Sequence, residues 1–249
     1  METLCLVSHV LNAAGQKLPK SIESQLHSMA RYARACCVCK GSYIEFGDDD
    51  EGAILNLESC KQCYPEYVLA LVSLEIGDGA RYAEDSACCE TLDWLYSQER
   101  VSDVMQLPPV ANASVESFCE GGITIVRFDE GRAVLAFDHG PLGLGQLAAH
   151  GHADALSVQL YVDGEPVLID PGTYVYNGNR EARYRFRSTS VHNTVSIDDR
   201  CQSEALGPFL WGRKANVSAF SLETSDGGIC MSAEHDGYAP VIALRAVNV

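Results

Sequence analysis

His150, His152 and Asp154 stand at alternate positions of "AAHGHADALSVQLYVDGEPVLIDPGTYVY", which runs from residue 148 to 176 and is patterned like a half-buried strand with a hairpin partner. Alternate residues of a strand share a face, so the two imidazoles and the carboxylate are expected to project together. Asp170 precedes a Pro-Gly turn at the end of the partner, and His192 sits inside the apolar stretch "STSVHNTVSID". Two imidazoles and a carboxylate are a metal-ligating set. His152, Asp170 and His192 suit zinc with a fourth position open, and equally non-haem iron with open positions. His150 is then left unligated to exchange a proton with a substrate, and Asp154 can hold a ligand histidine from behind. The bland alternative is three separate histidines, each hydrogen-bonded within a strand.

The totals narrow the classes. The 249 residues carry a formal charge of −16 and are 47% hydrophobic, which allows a real core and disfavours generic binding to nucleic acid or anionic membrane. From Pro171 to Lys214, seven basic residues face four acidic ones, a net of +3 that leaves −19 for the rest. This cationic island (Arg180, Arg183, Arg185, Arg187, Arg200, Arg213, Lys214) could attract an acidic ligand or simply pair with local carboxylates. No run approaches the roughly 20 apolar residues of a membrane span, and no signal peptide is visible. Eleven cysteines, an odd number, read mostly as small buried hydrophobes; the lone C-x-x-C of Cys60 and Cys63 beside "CCVC" is a weak zinc or disulfide motif.

The periodicity changes near residue 110. Before it, helices are expected in "TLCLVSHVLNAAG", capped by Gly15, in "PKSIESQLHSMARYARACC" with Ile22, Leu26, Met29, Tyr32 and Ala33 on one stripe, in "CYPEYVLALVSLEIGDGARYA" and in "SACCETLDWLYSQE". "EFGDDDEGAILNL" reads as a polar connecting loop. After residue 110 the period is two, with strands in "GITIVRF", "GRAVLAFD", "ALSVQLYVDGEPVLID", "HNTVSID", "ANVSAFSLE" and "GICMSAEHDGY" and a hairpin at Asp163-Gly164. The expected class is α+β, a helical region over 1–110 followed by an antiparallel β-sandwich over 111–249. Both ends read as cut, with a helix starting almost at Met1 and a last strand lacking a closing element.

"HGHAD", "LIDPGTYVY", "RFRSTSVHNTV", "GPFLWGR" and "HDGY", in that order, resemble the C-terminal region of heparinase II/III-like polysaccharide lyases, and "GDDDEG" resembles the end of the helical domain before it. The resemblance implies the end of an α/α toroid, an antiparallel sandwich and a zinc ion on His152, Asp170 and His192. It places His150 near the substrate carboxylate and makes Tyr184, in "EARYRF", the match for a catalytic tyrosine. The implied reaction is β-elimination on a uronate-containing acidic polysaccharide, heparan-like, alginate-like or an exopolysaccharide, in the periplasm or outside the cell. Arg183, Arg185 and Arg213 would hold carboxylates or sulfates. An Asn, a His and a Tyr that the family draws from upstream helices have no counterpart before residue 110, where His9 and His27 read as core or surface residues. The competing readings are a carbohydrate-binding or structural sandwich without turnover, and a cupin-like iron oxygenase on the same triad. Nothing in the sequence sets the oligomeric state.

Overall fold

The computed structural model describes residues 1–49, 52–55, 57, 64–77, 79–83, 90–225 and 227–249. Cys60, Cys63, Cys88, Cys89 and, in the GDDDEG motif, Asp50 and Glu51 lie outside these residues. Helices and antiparallel sheets both occur, an α+β chain, and it divides into two compact units. One comprises 1–43 with 51–112; the other comprises 44–50 with 113–249.

The first unit contains α1 (Glu2–Ala13), α2 (Lys20–Ala35), a short hairpin of β1 (Cys37–Cys39) and β2 (Ser42–Tyr43), then α3 (Tyr64–Ile76), α4 (Glu90–Leu95) and α5 (Gln98–Met105). Gly15 takes a left-handed φ of +72° two residues past α1, as a C-terminal glycine should. On α2 the buried stripe is Leu26, Ala30 and Arg34, an i+4 row, whereas Met29 of the expected stripe is 41% exposed. A row at i+4 tracks one line along the helix, and Met29 falls on the next ridge round. The α3 sequence is apolar on every side, and Tyr67 to Leu74 are all buried, which makes it the centre of this unit. The segment expected as one helix after residue 86 restarts at Ser97, whose Oγ accepts from the Arg100 N–H and caps α5.

The second unit holds a five-stranded antiparallel sheet of β3 (Val115–Phe118), β4 (Ile123–Phe128), β5 (Ala133–Asp138), β6 (Val158–Val162) and β7 (Glu165–Leu168), in that order. Then come α6 (Arg180–Phe186), a 3-10 turn at Thr189–Val191, a small hairpin of β8 (Ala205–Gly207) and β9 (Leu210–Trp211), and a three-stranded sheet of β10 (Val217–Ser225), β11 (Gly228–Tyr238) and β12 (Val241–Asn248). Val126, Leu135, Phe137 and Val158 from the larger sheet share one apolar core with Met231 and Ala233 from the smaller. Asp163 and Gly164, both at positive φ, turn β6 into β7 as the Asp-Gly pair requires.

One expected strand is absent and another begins late. Residues 148–157 form turns, with Ala148 and Leu156 left-handed at φ +50° and +60°, and β6 begins only at Val158. Residues 192–199 form a loop closed by a single Ile197–Arg200 bridge. Polar residues in both segments spend their hydrogen bonds on neighbouring loops rather than on a strand ladder.

Candidate functional site

Side-chain and backbone hydrogen bonds tie these loops together within the second unit. The Ala153 N–H donates to Arg187 O, and Thr189 Oγ1 donates to Ala153 O (2.7 Å). Thr194 Oγ1 donates to Ala155 O (2.6 Å), and Asn193 Nδ2 donates to Ile169 O (2.8 Å). The loop before β6, the turn after β7 and the loop after the 3-10 turn are thus fixed against one another.

Their side chains meet. His152, Asp154, Asp170 and His192 each offer a ligating atom, all within 4.8 Å of one another. His152 Nδ1 lies 3.1 Å from His192 Nε2 and 3.9 Å from Asp170; His192 Nε2 lies 3.4 Å from Asp170. The side chains of His152, His192 and Asp170 are 0%, 1% and 3% exposed. His192 Nδ1 faces Ser188 O at 2.7 Å and must donate to it, which leaves Nε2 without a proton. His152 Nε2 faces an Asp48 oxygen at 2.9 Å, which leaves Nδ1 bare by the same reasoning. Two bare nitrogens and a carboxylate therefore converge with no proton among them, an arrangement that a cation relieves.

The electrostatics agree with this. Burial pushes the His192 imidazolium down to about 4 and lowers that of His152, so both are neutral and ready to ligate. Burial raises Asp170, and raises Asp154 well above the ordinary carboxylate range, with neighbouring acids adding to the latter.

Asp48 is the residue that sequence reasoning missed. It belongs to the 44–50 segment of this unit, pinned by Asp48 N–H to His150 O (2.9 Å), by Asp49 N–H to Thr173 Oγ1 (2.7 Å) and by Gln159 Nε2 to Glu45 O (2.6 Å). Gly47, at φ +64°, permits the approach, since a Cβ there would stand 2.5 Å from His150 O. Both Asp48 oxygens are gripped by the Arg183 guanidinium, and the second lies 3.4 Å from His150 Nδ1. Burial pulls the Asp48 carboxyl up, but the bonds from His152 and Arg183 outweigh it and hold it down at about 2. The only sequence clue was the Gly-Asp pair opening an acidic run.

His150 is 51% exposed at its side chain, edge-on to Tyr176 and Phe209. Arg183 and Arg187, one turn apart on and just past α6, point inward and are each 1% exposed. The Arg183 fork is occupied by Asp48 and Pro208 O; Arg187 lies over Trp211 at 4.3 Å and donates to Gly207 O and Pro208 O. Tyr184 and Arg185 fall on other faces of α6, where the Tyr184 hydroxyl accepts from Arg180 (3.2 Å) and the Arg185 side chain is exposed. Arg213 is exposed and donates to Gln202 O and Gly237 O. The fold thus brings His150, His152, Asp170, His192 and Arg183 into one network and leaves Tyr184, Arg185 and Arg213 without a bond to it.

The model of the heparinase II/III-like C-terminal domain matches residues 111–249. No protein of curated function matches the sequence. Among solved structures, a mutant heparan sulfate lyase HepC from Pedobacter heparinus is similar with a TM-score of 0.59 at 15% identity, over 93% of this chain and 31% of that one. A heparinase III structure is similar with a TM-score of 0.58 at 16% identity, over 93% of this chain and 33% of that one. At these identities the likeness is one of fold. The chain spans about a third of the length of either.

Proposed function

The chain belongs to the heparinase II/III-like family through its C-terminal domain, and from that premise we propose that it is the sheet-bearing part of a polysaccharide lyase acting by β-elimination on a uronate-containing acidic polysaccharide. In this reading residues 111–249 are the family's sandwich, a view supported by two antiparallel sheets sharing a core, and the helices before them are the end of a toroid. The observation that carries the reading is a buried set of bare ligating atoms, His152 Nδ1, His192 Nε2 and Asp170, beside a half-exposed His150.

His152, His192 and Asp170 suit zinc in donor type and count, with Asp154 close behind. A cation held there by His152, His192 and Asp170 would supply positive charge beside His150. His150 faces solvent and takes the proton from the carbon next to the uronate carboxylate; the electrons form the new double bond as the glycosidic C–O bond breaks. The leaving oxygen needs a proton, and Tyr184 is the candidate donor from this chain. Arg185 is exposed, and Arg213 is exposed although its Nη1 already serves two backbone carbonyls, so these two are the candidates to meet carboxylates or sulfates, whereas the Arg183 fork is taken by Asp48. In this reading the protein acts in the periplasm or outside the cell; among the described residues no helix is long and apolar enough to cross a membrane.

Metal analysis of the purified chain beside His152→Ala tests the site: near-stoichiometric zinc, lost in the variant, is expected. Iron in its place would favour the oxygenase reading. No metal in either would overturn the ligand assignment. Ultraviolet absorbance of an unsaturated product on uronate polymers, with the whole parent protein, separates a lyase from a module that only binds.

A further inference from the structure

Asp48 has no part in the proposed proton transfers, yet three side chains of the site meet on its carboxylate. One oxygen faces His152 Nε2 at 2.9 Å and the other faces His150 Nδ1 at 3.4 Å. The Asp48 side chain is 0% exposed, whereas that of His150 is 51% exposed. An ionised carboxylate only accepts, so His152 Nε2, at hydrogen-bond distance, carries the hydrogen, and the longer contact to His150 Nδ1 favours a hydrogen there. On His152 this leaves Nδ1 bare toward His192 and Asp170. On His150 a hydrogen on Nδ1 leaves Nε2 bare, on a side chain that is 51% exposed. Free histidine in water favours the opposite tautomer, with the proton on Nε2, in which that atom cannot act as a base.

Arg183 makes the arrangement rigid. Its fork grips both oxygens and fixes the plane of the carboxylate, while its guanidinium packs over Tyr176 (5.1 Å) and Phe209 (5.3 Å). The same two rings stand edge-on to His150. Backbone bonds from Asp48 and Asp49 hold the loop itself.

We propose that Asp48 is a positioning residue that sets two tautomers at once, presenting His152 Nδ1 to the cation and His150 Nε2 to the substrate. This rests on the lyase reading for the meaning of the second tautomer. It assigns Arg183 to the support of Asp48 instead of to the substrate.

The test is two-bond proton–nitrogen correlation NMR on chain carrying 15N-histidine, at about pH 8.5 where an ordinary imidazole is neutral. Wild type is compared with Asp48→Asn and with Asp48→Ala paired with Arg183→Met, which leaves no unpaired guanidinium inside if the first variant fails to fold. Zinc titrations run alongside. The expected wild-type result is Nδ1–H on His150 and Nε2–H on His152. In the paired variant His150 should revert to the Nε2–H-rich solution mixture, and zinc affinity should fall 10–100-fold, as for other partners of ligand histidines. A wild-type His150 already in the solution mixture, or one that keeps Nδ1–H in the paired variant, overturns the proposal. If zinc binds normally and the His150 tautomer ignores Asp48, positioning fails while the metal reading stands. If wild type binds no zinc and the tautomer follows Asp48, the metal reading fails while positioning stands.

Discussion

Glu2 in the helical unit and Asp170 in the sheet unit both carry buried carboxylates, but their surroundings are opposite. Glu2 accepts from the Ile54 and Leu55 N–H groups and from the Tyr64 and Tyr67 hydroxyls, at 2.8–3.2 Å. Asp170 accepts from one backbone N–H, that of Gly172, and otherwise faces two imidazole nitrogens with no proton to give. A buried acid surrounded by donors is part of the scaffold. One surrounded by other acceptors stores an unmet demand for positive charge, and that separates a structural carboxylate from a ligand.

The contrast breaks most sharply at Glu2. Glu2→Ala orphans several buried donors and should cost at least about 3 kcal/mol in denaturant unfolding. Asp170→Asn should do the reverse in metal-free protein and raise stability, because it removes a crowded negative charge; a loss would mean that Asp170 is satisfied as it stands. Zinc should then divide the two units. At a free concentration 100 times its Kd it stabilises wild type by about 2.7 kcal/mol in thermal unfolding, and gives no such gain in His152→Ala or Asp170→Asn.

His139 sharpens the comparison with a buried base outside the cluster. It bonds Thr124 Oγ1 at 2.9 Å and stacks on Phe220 at 3.5 Å, and burial lowers its pKa from 6.5 to about 4. The unfolded chain takes up that proton first as pH falls. Stability is therefore intact above about pH 6.5 and drops by roughly 2 kcal/mol on the way to about pH 4. His139→Gln should flatten that part of the pH profile; an unchanged slope would assign it to other groups. The smallest effect is expected at Tyr96, whose hydroxyl donates to Glu75 at 2.6 Å, a carboxylate that also accepts from Asn12. Tyr96→Phe should cost about 1 kcal/mol, since Glu75 keeps other partners.

Much of the sheet unit is legible in the sequence, because period-two patterning marks β4, β5, β6, β10 and β11 directly. The residue types at His152, Asp170 and His192 are legible too. Their placement on strands is not, since the alternation of His150, His152 and Asp154 comes from turns whose left-handed residues, Ala148 and Leu156, carry no sequence mark. Arg183 and Arg185 look equivalent on paper, but two steps along α6 put them on nearly opposite faces, one buried and one in solvent. Asp48 lies 104 residues from His152, inside an acidic run of a kind that usually faces water. Only the tertiary packing singles it out.

Gly47 extends this to the tolerance of the chain to change. It has no functional group, yet its missing side chain lets the backbone lie against the His150 carbonyl and carry Asp48 inward. A random-mutagenesis screen for loss of function should recover Gly47 alongside the histidines. If the proposed site is the active one, its alleles would look like active-site lesions although no chemical group had been altered, and a designer grafting this site elsewhere would have to copy an absence as faithfully as the proposed ligands.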